Sequence, residues 1–454
     1  MVAIGSISGN WAPGAGIVTE WTASPASLEL AAAAPIDPLP PTFQQKQHLR
    51  SAQAAKERGR SSARLIMTSW SILGWCDIGA MTEAINAHLR RHDTYHSFFE
   101  VTDAGEVIRR TIEDPERIEF VPAVLGFMEQ DAIRDHVLTA TPNTLEWDCF
   151  TFGVIQKEQY FTVYANIDHL HTDGTSCLVI YGDIVRDYQA LTLGRDESDA
   201  EPAGYRDFTE NQHDEVGTLT RDSRPIKDWV DFAVDADGEW PSFPLELGSA
   251  DDGTGGAFTA EILNAEQTEA FDIACRQAGA RFSGGVLACA AIADHDFTHA
   301  DVVHIFSPLD TRTREQATSV GWYASLFPVS VEIGSDFGET ARSAQKSFDA
   351  NKHLSAVPFD RVLDLVDSEE IGESGSDQPM MVSLFDFRKL DPAIADNLGM
   401  FIDDLNNGAI NIWVTRNRDC TTVTVSFPET FDSRRSIHNY MAALRDAFIS
   451  VAGS

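Results

Sequence analysis

Positive charge is scarce in this chain: 34 lysines and arginines stand against 70 aspartates and glutamates, a formal net charge of −36 over 454 residues. So acidic a surface is repelled by nucleic acid and by anionic membrane, which excludes both as main partners. Cysteine is sparse as well. The six (Cys76, Cys149, Cys177, Cys275, Cys289 and Cys420) are scattered, several within apolar periodic segments. They read as buried free thiols of a reducing cytoplasm, not as a disulfide framework. No apolar run reaches the length of a membrane-spanning helix, and the N-terminus lacks a basic stretch followed by an apolar core. A soluble, cytoplasmic protein with no integral membrane segment is the expectation. Also absent are a Gly-x-Ser-x-Gly nucleophile elbow and any second cluster of His and Cys with metal-ligand spacing.

What is present centres on Asp168-His169-Leu170-His171-Thr172-Asp173-Gly174. Before it, Phe161, Val163, Ala165 and Ile167 alternate with Thr162, Tyr164, Asn166 and Asp168, the period of a half-buried strand. After it, Leu178, Tyr181, Ile184 or Val185, Tyr188 and Leu191 recur at helical spacing. His169 therefore sits where a rigid strand yields to a loop. Three readings stay open from these residues. His169 is a general base suited to take a proton from a hydroxyl or amine, with Gly174 turning the backbone into the helix. Alternatively His169, His171 and Asp173 are ligands of a metallohydrolase, although Gly174 stands where such patterns carry a further His. In the third, Asp173 or Thr175 merely caps the helix.

Length suits two ordinary domains. Residues 1–40, rich in Ala, Pro, Gly and Ser, read as an extended arm across the body. Residues 41–200 form a first lobe with helices at Phe43 to Glu57 and Ala80 to His92. The polar run Arg195 to Glu201 opens a crossover linker over 201–225. Residues 226–454 form a second lobe: helices near 265–279, 284–293, 339–353 and 434–451, strands near 302–307, 325–333, 380–387, 409–416 and 421–427, and an acidic loop over 367–378.

The motif resembles the His-His-x-x-x-Asp-Gly signature of the condensation-domain and chloramphenicol-acetyltransferase-like superfamily. Asp168 stands for the first His, His169 for the catalytic one, and Asp173-Gly174 closes the motif. Leu89-Arg90-Arg91-His92-Asp93 and the block Thr311-Arg312 … Val320 to Pro328 resemble further segments of that superfamily. Trp11-Ala-Pro-Gly14, Trp21-x-x-Ser24-Pro25, Gln45-x-x-His48-Leu49-Arg50 and Gly321-Trp322-Tyr323 are similar to the polyketide-associated acyltransferases of actinobacterial lipid pathways, some of which esterify trehalose.

The resemblance implies a layered α/β fold of two lobes in a V with a tunnel between them. It implies acyl transfer from a thioester, with the phosphopantetheine arm of coenzyme A or of an acyl carrier protein entering one side and a hydroxyl or amine acceptor the other. No cofactor and no metal is implied. His169 would deprotonate the acceptor, and N–H groups around Gly174 would steady the oxyanion. Asp173 would bond an arginine, Arg312 or the nearby Arg314, and so hold the loop. For Asp168, a charge acting on His169 and a purely structural role both stay open. His171, Trp322 and Ser325 are weaker tunnel contacts. Lys46, Arg50, Lys56, Arg58, Arg60 and Arg64 place six bases within nineteen residues, Glu57 being the only acid among them. Arg58, Arg60 and Arg64 are the expected docking site for donor phosphates, against the plainer reading of a solvated surface. Two activities outside ester formation also stay open: amide condensation of the nonribosomal-peptide kind, and an inactive binding protein of the same fold.

Overall fold

The computed structural model describes residues 1–102, 105–196, 201–236, 240–248, 253–366, 380–406 and 408–453. The first half runs β1 (Ala3–Ser6), β2 (Gly16–Ala23), α1 (Pro25–Ala32), β3 (Ile36–Asp37), α2 (Phe43–Glu57), β4 (Leu65–Leu73), α3 (Ile78–Arg91), β5 (Ser97–Val101), β6 (Val107–Thr111), β7 (Phe120–Met128), α4 (Gln130–Ala140), β8 (Phe150–Gln156), β9 (Tyr160–Asp168) and α5 (Gly174–Thr192). Then come α6 (Tyr205–Val216), α7 (Arg224–Asp235), β10 (Gly255–Asn264), α8 (Ala265–Gln277), α9 (Phe282–Thr298), β11 (Val302–Asp310), β12 (Ala324–Glu332) and α10 (Phe337–Asn351). The chain closes with α11 (Phe359–Leu365), β13 (Met381–Asp386), α12 (Pro392–Ala395), β14 (Gly399–Ile402), β15 (Asn411–Arg416), β16 (Cys420–Pro428) and α13 (Phe431–Ala452).

Two mixed sheets organise these elements. One has the order β1-β14-β4-β9-β8-β2-β7 and the other β10-β16-β15-β13-β11-β12, with β3-β6-β5 as a small third sheet. Each large sheet has its own core. Met81, Ala84, Ile85 and Leu89 of α3 repeat at three to four residues and meet Phe161, Val163, Ala165 and Ile167 of β9, as an amphipathic helix on a sheet requires. The second core gathers α8, α9, α10 and α13 against the sheet β10-β16-β15-β13-β11-β12.

The structure changes four of the expectations above. β9 is buried on both faces, not one, because α4 covers the second face and Asn166 Nδ2 donates to Val137 O at 2.9 Å. Residues 1–40 are not an arm: β2 lies inside the first sheet between β8 and β7. Its Glu20 is buried but answered by His136 Nε2 at 2.8 Å and by the Tyr164 hydroxyl at 3.2 Å, the pairing that a buried carboxylate needs. Residues 201–225 are not a plain linker, since α6 takes up 12 of them and buries Tyr205 and Thr209. The second half is not self-contained either, because β14 crosses back to sit between β1 and β4. The acidic run 367–378 and part of Arg195 to Glu201 lie outside the described residues.

One glycine is required by close approach. A Cβ on Gly153 would lie 2.2 Å from the Tyr164 ring, and that ring is tethered through its hydroxyl to Glu20. Gly153→Ala is therefore expected to destabilise the protein by about 1–3 kcal/mol, the usual cost of overpacking. Calorimetry would register this as a lowered unfolding midpoint; an unchanged midpoint would mean that Tyr164 swings aside freely.

Candidate active site

β9 delivers Asp168 as its last residue, the loop 169–173 follows, and Asp173 caps α5. The Asp173 carboxylate accepts the Ser176 N–H at 2.8 Å, as a helix cap should. It also receives both Arg312 Nη atoms, at 2.9 and 3.0 Å, in a bidentate pair. The backbone N–H groups of Tyr323 and Ala324 complete its shell at 2.9 and 3.2 Å. Burial pushes the Asp173 carboxyl up, but Arg312 outweighs it and the group stays below the usual carboxylate range. Arg312 packs over the Tyr323 ring at 4.1 Å. Arg312, not Arg314, is thus the residue that meets Asp173, and the loop is fastened to the start of β12 in the other half. Gly174 sits close against the second half, since a Cβ there would stand 3.0 Å from the Phe385 ring.

His169 turns the other way. Its ring lies 3.8 Å from that of Trp322, tilted by 31°, and Nδ1 is buried without a partner among the described residues. Its backbone N–H is held by Arg64 O at 2.6 Å. Trp322 is itself fixed, because Tyr205 of α6 donates to its carbonyl at 3.0 Å. Burial lowers the His169 pKa below its ordinary value and the nearby charge of His48 lowers it further, overriding Asp168 and Asp173. The imidazole is therefore neutral, as a base must be.

Asp168 faces α2. Its Oδ1 lies 2.8 Å from His48 Nε2 and accepts the Leu170 N–H at 3.0 Å. Its Oδ2 accepts from Thr144 at 2.7 Å and Arg64 at 3.3 Å. Full burial pushes this carboxyl up, yet His48 and Arg64 hold it well below the usual range. An imidazole thus still stands beside the motif, but it arrives from α2. Gln45, one turn earlier, donates to Leu170 O at 2.8 Å. His48 is the residue that the motif analysis missed. The Gln45-x-x-His48 spacing put both on one helix face, but nothing in the sequence said which loop they meet.

The other expected residues fall elsewhere. His171 is buried beside Thr94, Nδ1 to hydroxyl 3.1 Å, against Tyr95 and Phe150, and burial lowers its pKa to about 4. It belongs to the first core and not to a tunnel. His169, His171 and Asp173 thus have separate partners and do not converge as one ligand set. Ser325 is buried in β12, and its hydroxyl has no partner among the described residues. Arg64 is not free for donor phosphates: besides Asp168 it donates to Pro142 O and Thr141 O at 2.9 and 2.7 Å. Lys46 pairs with Asp364 at 3.2 Å. Arg58 and Arg60 are exposed at the end of α2 and just beyond it. Among the described residues, His88, His92 and Asp183 do converge. Arg91 and Arg186 reach the same carboxylate at 3.4 and 2.9 Å, so the cluster reads as an ion network joining α3 to α5.

The model of the condensation-domain family matches residues 44–391. The chain belongs to that family. It is 40% identical over 98% of its length to the 2'-acyl-2-O-sulfo-trehalose (hydroxy)phthioceranyltransferase PapA1 of Mycobacterium tuberculosis, covering 88% of that protein. It is 40% identical to the trehalose-2-sulfate acyltransferase PapA2 of Mycobacterium bovis, over 98% of this chain and 96% of that one. Among solved structures, a PapA2 acyl transferase superposes with a TM-score of 0.93 at 39% identity, covering all of both chains. The first condensation domain of the calcium-dependent antibiotic synthetase shares the fold, with a TM-score of 0.69 at 18% identity over 91% of this chain and 96% of that one. The chain is an acyltransferase of mixed α/β fold. No helix among the described residues is long and apolar enough to cross a membrane.

Asp173→Ala would strand the buried Arg312 guanidinium. Removing one partner of such a pair costs about 3–5 kcal/mol, so both thermal stability and acyl transfer are expected to fall together. Lost activity at an unchanged melting temperature would instead assign Asp173 a direct part in the chemistry.

Proposed function

We propose that this enzyme transfers an acyl group from a thioester directly to a hydroxyl of a trehalose-like polyol, with His169 as general base. The observation that carries this reading is the His169 imidazole itself: neutral, half-buried, stacked on Trp322 and tied by no described residue through its ring. His169 takes the proton of the acceptor hydroxyl as its oxygen attacks the thioester carbonyl. The tetrahedral intermediate expels the thiolate, and the imidazolium returns the proton to that sulfur. An ester and a free thiol result. Backbone N–H groups around Gly174 are the proposed oxyanion donors, although that of Ser176 is excluded because Asp173 already takes it. Holding donor and acceptor together at His169 turns a bimolecular encounter into a positioned reaction. Sugar hydroxyls are favoured over amines because the curated relatives are named for sulfated trehalose acceptors.

His169→Ala should keep the fold and lose about a hundredfold or more of the acyl transfer from palmitoyl-CoA to trehalose, the range of a general base. Mass spectrometry of the ester reads this directly; a well-folded variant with near-wild-type turnover would sink the mechanism.

The pH profile carries a sign. The base works when neutral, and its pKa is held below the ordinary histidine value. Activity should therefore persist as pH falls past about 6.5 and decline only below that. An acid limb of kcat/KM centred above 7 would contradict it.

The donor is proposed to be captured as coenzyme A or as a carrier-bound phosphopantetheine arm, with Arg58 and Arg60 as the exposed bases that meet its phosphates. Replacing both with Gln should raise the donor KM and flatten its salt dependence while kcat is nearly kept. Unchanged donor KM and salt response would leave the segment a solvated surface only.

A further inference from the structure

We propose that His48 is an acceptor-binding residue, whose imidazole hydrogen-bonds a hydroxyl adjacent to the one that is acylated at His169. The proposal rests on the reading of the enzyme as a polyol acyltransferase and adds how it would select vicinal hydroxyls over a lone one.

Three rings make one cluster. The His48 ring centre is 6.4 Å from that of His169 and 5.7 Å from Trp322, which in turn stacks on His169. All three are half-buried, whereas Leu49, Asp168, Leu170, Gly321 and Tyr323 beside them are buried. The cluster is thus where the motif loop, α2 and the segment before β12 reach the outside together.

Asp168 determines which edge of His48 is available. This carboxylate is ionised and buried, and its Oδ1 lies 2.8 Å from Nε2. An ionised carboxylate only accepts, so the proton of the imidazole sits on Nε2. Nδ1 then has a lone pair, and no described residue engages it. A neutral His48 would accept from a sugar hydroxyl there, and a protonated one would donate to it. His48 is not the sole partner of Asp168, since Arg64, Thr144 and the Leu170 N–H meet the same group.

The spacing leaves room for a diol. A hydroxyl hydrogen bond is about 2.8 Å long, so a single oxygen spans at most about 5.6 Å between two nitrogens. Ring centres 6.4 Å apart are in reach of one shared oxygen or of two adjacent ones. With His169 on the reacting hydroxyl, His48 meets its neighbour.

The two imidazole nitrogens can be tested separately, using the full chain with palmitoyl-CoA as donor and trehalose or 1-butanol as acceptor. His48→Gln places its amide near the Nε2 position and keeps a contact to Asp168. His48→Asn places its amide near the Nδ1 position and loses that contact. The expected result is that His48→Gln keeps the melting temperature, yet raises the trehalose KM and lowers the preference for trehalose over 1-butanol, each by roughly tenfold, the worth of one lost hydrogen bond. His48→Asn should retain more of that preference than His48→Gln. A His48→Gln enzyme with wild-type trehalose KM and selectivity would overturn the proposal and leave His48 a partner of Asp168. If the wild type esterifies 1-butanol but not trehalose, His48 is again overturned while acyl transfer stands. A wild type that esterifies neither acceptor overturns both readings together.

Discussion

The arrangement depends on a buried ion pair, Asp173 with Arg312. Two ions taken from water cost several kcal/mol each, repaid only when geometry is good and every lone pair is used. Here it is: the two Arg312 bonds and the N–H groups of Ser176, Tyr323 and Ala324 converge on one carboxylate. Asp173 lies at the start of α5 in the first half, and the other partners but Ser176 lie in the second. The same contact therefore ends the motif loop, caps a helix and docks β12. Trp322 precedes two of the N–H donors, so the pair also sets where the indole meets His169.

A second buried carboxylate orders the near side of the loop. Asp168 fills the place of an imidazole in the family motif, and the structure answers with His48 from α2. Its negative charge is compensated by Arg64 and His48, and its upward pull on the His169 pKa is outweighed by burial and the charge of His48. A change within the motif is thus coupled to a helix more than a hundred residues earlier. Arg64 is drawn into the same compensation, which is why it is lost to the exposed basic segment.

Much of the fold was legible in the chain. Helical spacing in α3, α5, α10 and α13 and the strand runs of β11, β12, β13, β15 and β16 are local signals, read from one face of one element. The interior strand β2 was not, because its Glu20 fits an interior strand only once His136 and Tyr164 supply its partners. α6 was hidden in polar sequence, since only Tyr205, Thr209, Gln212 and Val216 face inward. β14 is four residues long and gains its meaning only from β1 and β4 on either side.

By itself the sequence placed the candidate base and its loop: His169 before Asp173-Gly174, a strand leading in and a helix leading out. Those depend on residues close in the chain, whose pattern survives without the rest. Tertiary structure alone decided who meets them. It chose Arg312 over Arg314, sent His171 into the core, withdrew Arg64 from the surface and brought His48 beside the site. Such pairings are set by where buried charge must be neutralised, and that constraint acts across space between residues with no neighbourhood in sequence.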